Sequence, residues 1–170
     1  KADYLAFTQG KAPEFFVCGF HVIFVSTHLP AYCEDHGLPS WVGATSLSII
    51  GIGNVVGTFC AGALGARYPG NKNKLLSGLY ATRSLMFALF VTLPLHTVGV
   101  LAFAFLLGLL WLSTVPLTSG LVSDMFGAKY SSTLFGIAFC SHQLGSFFGA
   151  WLGGYIYDET GSYDLMWWLE

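Results

Sequence analysis

The sequence predicts an all-α polytopic membrane helix bundle, with five full transmembrane helices and the start of a sixth, from three observations. Of its 170 residues 54% are hydrophobic and only 9% are charged, whereas a soluble domain carries about 25% charged residues. Seven basic and nine acidic side chains are too few to cover so apolar a chain in water, and lipid is its natural solvent. Several apolar runs exceed 18 residues, enough to cross about 30 Å of hydrocarbon as a helix. The short connections between them also alternate in charge, the signature of spans that cross in opposite directions.

Taken in order, the spans are expected at about Phe15–Tyr32, Trp41–Ala66, Leu75–Leu95, Val98–Val122 and Thr133–Tyr157, with a sixth starting at Tyr163 and cut off at Glu170. Residues 1–14 form an N-terminal segment and 15–170 the transmembrane bundle. Lys1 and Lys11 precede the first span, Arg67, Lys72 and Lys74 follow the second, and Lys129 follows the fourth, so every basic residue outside a span falls on one side. The other side holds Glu34, Asp35, Asp158, Glu159 and Asp164. The positive-inside rule then predicts a cytoplasmic N-terminus in a plasma (inner) membrane. Tyr32, Trp41, Tyr155, Tyr157, Tyr163, Trp167 and Trp168 cluster at the outer ends, where amphipathic rings favour the headgroup layer.

Net charge is −2, and no basic cluster interleaved with polar aromatics offers a nucleic-acid face. Cys18, Cys60 and Cys140 lie in apolar runs and Cys33 at a span boundary, without metal-ligand spacing, so neither zinc nor a disulfide framework is expected. No phosphate-binding glycine loop, HExxH, GxSxG or intramembrane carboxylate pair occurs. No cofactor and no enzymatic activity are expected.

Arg83 is the one charged residue deep within a span. Such a position costs at least about 2.5 kcal/mol unless compensated. It reads either as an anion-attracting group in an aqueous pathway, with Tyr80 on the same helical face, or as a structural arginine that snorkels or binds a carbonyl. His142 shares a face with Gly145, Ser146, Gly149 and Gly153, since offsets of three, four, seven and eleven return to one side of a helix. That stripe permits close packing, and the imidazole can bond across the interface or carry a proton. His21 and His28, seven apart on the first span, can line a cavity or serve packing; a metal pair needs closer spacing and more ligands. Asn54 lies among Gly53, Gly57 and Ala61 and reads as interhelical glue as well as a solute contact. Pro116 cannot donate to the carbonyl of Leu112 and should bend the fourth span, with Ser113, Thr114, Thr118 and Ser119 at hand to satisfy the loosened backbone.

The segments CGFHVIFVSTHLPAYCEDHGLP and GLLWLSTVPLTSGLVSDMFGAKYSSTLFGIAFCSHQLGSFFGAWLGGYIYDETGSY, with the glycine-rich second span, resemble the C-terminal half of a major facilitator superfamily transporter, in its bacterial monocarboxylate-transporter-like branch. The resemblance covers nearly the whole chain from Phe16. It implies helices seven to eleven of twelve, a truncated twelfth, a missing N-terminal half, and alternating access around a cavity between halves. The stretch from Gly62 to Arg67 resembles the cytoplasmic loop motif Gly-x-x-x-Asp-Arg-x-Gly-Arg-Arg, with Ala66 at the acidic position and Pro69 at the following glycine. The implied function is secondary transport of a small solute, an organic anion in this branch, with Arg83 and His142 as charged or protonatable groups. Asn54 stands in the span where monocarboxylate carriers place an acidic and basic pair. The competing expectation is a non-transporting membrane scaffold or remnant fragment.

Overall fold

The computed structural model describes the backbone of residues 2–169 and the side chains of 13–127 and 129–169; the side chains of Lys1 and Lys11, and Glu170, lie outside the described residues. The described residues are all helical apart from short turns: α1 Ala2–Asp35, α2 Ser40–Arg67, a single 3₁₀ turn Pro69–Asn71, α3 Lys72–Thr92, α4 Thr97–Trp111, α5 Thr114–Phe126, α6 Ala128–Thr160 and α7 Asp164–Leu169. Four segments are long and apolar enough to cross a membrane, Pro13–Asp35, Ser40–Arg67, Pro69–Thr92 and Thr97–Phe126. The expected fifth span coincides with α6, which has 33 residues and therefore the length. It falls short of the other four in apolarity because His142, Gln143 and its serines and glycines dilute the hydrophobic run.

Local chemistry sets the helix ends. The expected third span reached Leu95; α3 instead stops at Thr92, with Leu93 extended at φ −90° and ψ 149°, because the residue before a proline is pushed out of the helical region and Pro94 follows. Gly127 and Gly161 bracket α6 at φ +76° and +70°, a left-handed backbone that glycine alone adopts without strain. At the other end of the chain α1 begins at Ala2 rather than Phe15, its apolar portion starting at Pro13.

The fourth span divides into two helices at Leu112 and Ser113. Pro116 has no N–H, and the carbonyl of Leu112 accepts instead from Val115 at 3.1 Å, a tighter turn one residue short of helical register. Ser113 Oγ donates to Leu109, Thr114 Oγ1 to Trp111 at 3.0 Å and Ser119 Oγ to Pro116 at 3.3 Å. Three of the four hydroxyls expected to soften the break thus bond backbone carbonyls within the helix.

The chain forms two compact units, Lys1–Leu29 with Phe126–Glu170, and Pro30–Met125. In the first, α6 lies against α1 through its glycine stripe. A Cβ on Gly145 would strike the carbonyl of Phe16, and one on Gly149 that of Phe20, while Gly19 of α1 meets the carbonyl of His142. Phe24, His28, Tyr163 and Trp167 close one end of this contact, with ring separations of 5.0–5.3 Å. In the second unit α2 packs on α4 at Gly53 and Gly57, whose Cβ positions fall on the backbone of Phe105, Gly108 and Leu109. Phe90 stacks on Phe103 at 3.9 Å and Phe87 meets it edge-on at 5.5 Å, joining α3 to α4. Many large apolar side chains face outward, among them Phe59, Val98, Ile52, Leu85 and Phe147, a distribution suited to lipid rather than water.

Candidate functional site

Arg83 sits on the buried stripe of α3 with Leu76, Met86, Phe87 and Phe90, and only 5% of it is exposed. It lies eleven residues past Lys72, roughly 16 Å along the helix by its rise and hence near the middle of a hydrocarbon core of about 30 Å. Its Cζ lies 5.1 Å from the centroid of the Tyr80 ring, one helical turn back, within cation–π range. Its Nη1 is fully buried and makes no hydrogen bond among the described residues. The structural alternative, a guanidinium tied to a carbonyl, is not met at this atom. A buried arginine donor without an acceptor carries a desolvation cost, and a carboxylate is the group whose geometry best relieves it.

Asn54 behaves as interhelical glue: its Oδ1 accepts from the backbone N–H of Leu112 at 3.2 Å, at the α4–α5 break. The side chain that would contact a solute is therefore engaged in holding the broken helix to α2. Pro116 lies half-buried just beyond that break.

On α6, His142 is half-buried, stacked on Phe139 at 5.1 Å and 7°. Its Nδ1 is 3.3 Å from Gln143 Oε1 and 3.4 Å from Ser146 Oγ, and Ser146 Oγ donates to the carbonyl of Gly19 at 3.3 Å. Gln143, which the helical wheel assigns to a different surface, thus reaches back to the imidazole of its neighbour. His21 is half-buried beside Phe20, while His28 is buried and its Nε2 donates to the carbonyl of Ala150 at 3.1 Å. The two histidines of α1 thus differ, His28 being a packing residue. Arg83, Tyr80 and Asn54 belong to one compact unit and His21 and His142 to the other.

Gly145 and Gly149 are close-contact glycines, but Gly62 is not: a Cβ there would meet nothing within 4 Å. Arg67 is exposed in the last turn of α2, 5.9 Å from the Tyr68 ring. One ion pair near the basic loop escaped sequence reasoning. Lys72 Nζ lies 2.6 Å from Asp124 Oδ2, joining the start of α3 to the end of α5 across 52 positions, and Gly120 leaves room for the lysine stem. Asp124 was the available signal, an acidic residue at the end of a span on the side that carries the basic residues.

Apolar helices of membrane-spanning length, a broken span and an unsatisfied buried arginine define an integral, multi-pass membrane protein. Residues 14–150 match the family model of the Major Facilitator Superfamily, and the chain belongs to that superfamily. It is 28% identical over 155 residues to "Uncharacterized MFS-type transporter YcxA" of Bacillus subtilis (strain 168), covering 89% of this chain and 37% of that protein. It is 30% identical over 146 residues to monocarboxylate transporter 13 of Rattus norvegicus, covering 85% and 33%, and 27% identical over 144 residues to monocarboxylate transporter 12-B of Danio rerio, covering 84% and 30%. The chain thus spans about a third of the length of these relatives.

Proposed function

We propose that this chain is the C-terminal half of a secondary active transporter for a small organic anion, working by alternating access rather than by catalysis. In this reading α6 is a fifth span, packed through its glycines, α7 begins a sixth, and a further six-helix half completes the cavity. The N-terminus is cytoplasmic, in the plasma (inner) membrane, because the basic residues fall on that side. The observation that carries the proposal is the Arg83 guanidinium, buried near mid-membrane with an unpaired donor. A structural scaffold would gain by tying that donor down. Two relatives bear the name monocarboxylate transporter, and a carboxylate is the acceptor that a free guanidinium edge pairs with in a fork.

Arg83 anchors the anion, Tyr80 stabilises the cation between loads, and His142 is the candidate proton carrier, its Nδ1 already oriented by Gln143 and Ser146. His21 is a secondary cavity candidate. The α4–α5 break beside Pro116 gives the bundle a hinge, and Gly62 and Arg67 lie in the last turns of α2, at the end of the helix that would move with it. The test is uptake of labelled short-chain monocarboxylates by the intact transporter in proteoliposomes. Arg83→Ala abolishes saturable uptake and His142→Ala removes its dependence on a proton gradient, both with normal membrane insertion. Unchanged uptake in Arg83→Ala refutes the site.

A further inference from the structure

A cavity of about 520 Å³ opens between α2, α3 and the α4–α5 break; its lining includes Cys60, Leu64, Lys74, Gly78, Thr82 and Leu109 and leaves out Arg83. Its volume falls within the range of about 300–1,000 Å³ typical of small-molecule pockets. Cys60, Leu64, Lys74, Gly78 and Thr82 are all exposed. The groove is charged at one end only. Lys74 stands at that end, in the first turns of α3 and within one short loop of Arg67. Lys72 is consumed by Asp124, but Lys74 makes no ion pair or hydrogen bond among the described residues. From Lys74 to Thr82 the groove runs along about 12 Å of helix, close to the depth of one leaflet, half of a hydrocarbon core of about 30 Å.

We infer that this groove holds one anionic phospholipid, its phosphate at the Lys74 ammonium and an acyl chain along Leu64, Gly78 and Thr82. Charge at one end and an apolar floor one leaflet deep match a molecule with the same layout. A free anion would use the lysine and leave the rest of the groove unfilled. Basic pockets between helices at the cytoplasmic surface bind anionic headgroups in this manner. The inference rests on the membrane setting of the superfamily and on the cytoplasmic side proposed above for the α2–α3 turn, and is independent of the cargo.

Two substitutions separate the two halves of the contact. Lys74→Ala removes the charge. Gly78→Phe fills the groove from within, and since a Cβ at Gly78 would meet nothing within 4 Å the helix accommodates it. Native mass spectrometry of the intact transporter in detergent, titrated with dioleoyl-phosphatidylglycerol or dioleoyl-phosphatidylcholine, reads the outcome. The expected result is one retained phosphatidylglycerol that Gly78→Phe eliminates, that Lys74→Ala weakens about fivefold, and that phosphatidylcholine does not replace. Equal retention of the two lipids overturns the headgroup assignment. Retention unaffected by Gly78→Phe, or displacement of the lipid by millimolar inorganic phosphate, identifies a simple anion site and overturns the proposal.

Discussion

Replacing Arg83 by Met removes a charge from the interior of α3 while keeping an unbranched side chain of comparable reach. At mid-membrane an arginine costs about 2.5–3.5 kcal/mol on insertion scales. The Tyr80 ring, 5.1 Å away, returns about 0.5–2 kcal/mol of that, and the buried Nη1 returns nothing through hydrogen bonding among the described residues. Arg83→Met is therefore expected to stabilise the fold by about 0.5–3 kcal/mol. For a chain of about this size each kcal/mol moves the midpoint by about 2–4 °C, so thermal unfolding in detergent, followed by tryptophan fluorescence, should shift upward by roughly 1–12 °C. The same variant should lose uptake of its anion. Arg83→Lys, which keeps the charge but not the planar fork, should retain wild-type stability and lose most of its uptake. A lower midpoint for Arg83→Met would show that the guanidinium holds the bundle together, and the reasoning from its unpaired donor would fail.

Two glycines of α2 should respond in opposite directions to the same substitution. Gly57→Ala drives a methyl into the carbonyl of Leu109 and should destabilise by about 1–3 kcal/mol, whereas Gly62→Ala enters open space and should stabilise by up to about 1 kcal/mol through helix propensity; equal midpoints in thermal unfolding would contradict the α2–α4 contact. Asn54→Leu removes the acceptor for the Leu112 N–H and should cost about 0.6–1.7 kcal/mol. Hydrogen exchange at Leu112 should accelerate in that variant while exchange elsewhere in α4 holds, and an unchanged Leu112 rate would rule out the tie.

Sequence alone determined the solvent and, with it, the class. Long runs nearly free of charge admit only hydrogen-bonded helices in lipid, and the limits of those runs placed most helix ends within a few residues. The bend at Pro116 was equally legible, because a missing N–H is a covalent property of one residue. The stripe through Gly145 and Gly149 was readable for the same kind of reason, since helical periodicity is fixed before any packing occurs.

Tertiary structure decided which polar groups were already occupied. Asn54 and Arg83 look alike in sequence, each a lone polar residue in an apolar span. One bonds the backbone of Leu112 and the other keeps a buried donor with no acceptor among the described residues. His21 and His28 share a helix, and the partner of His28, the carbonyl of Ala150, lies 122 positions away. Gly62 carried a motif but no contact, and Lys72 found Asp124 through no local pattern. Hydrogen-bond satisfaction depends on atoms that only the folded chain brings within about 3 Å of each other, whereas hydropathy and helical period are properties of a segment by itself.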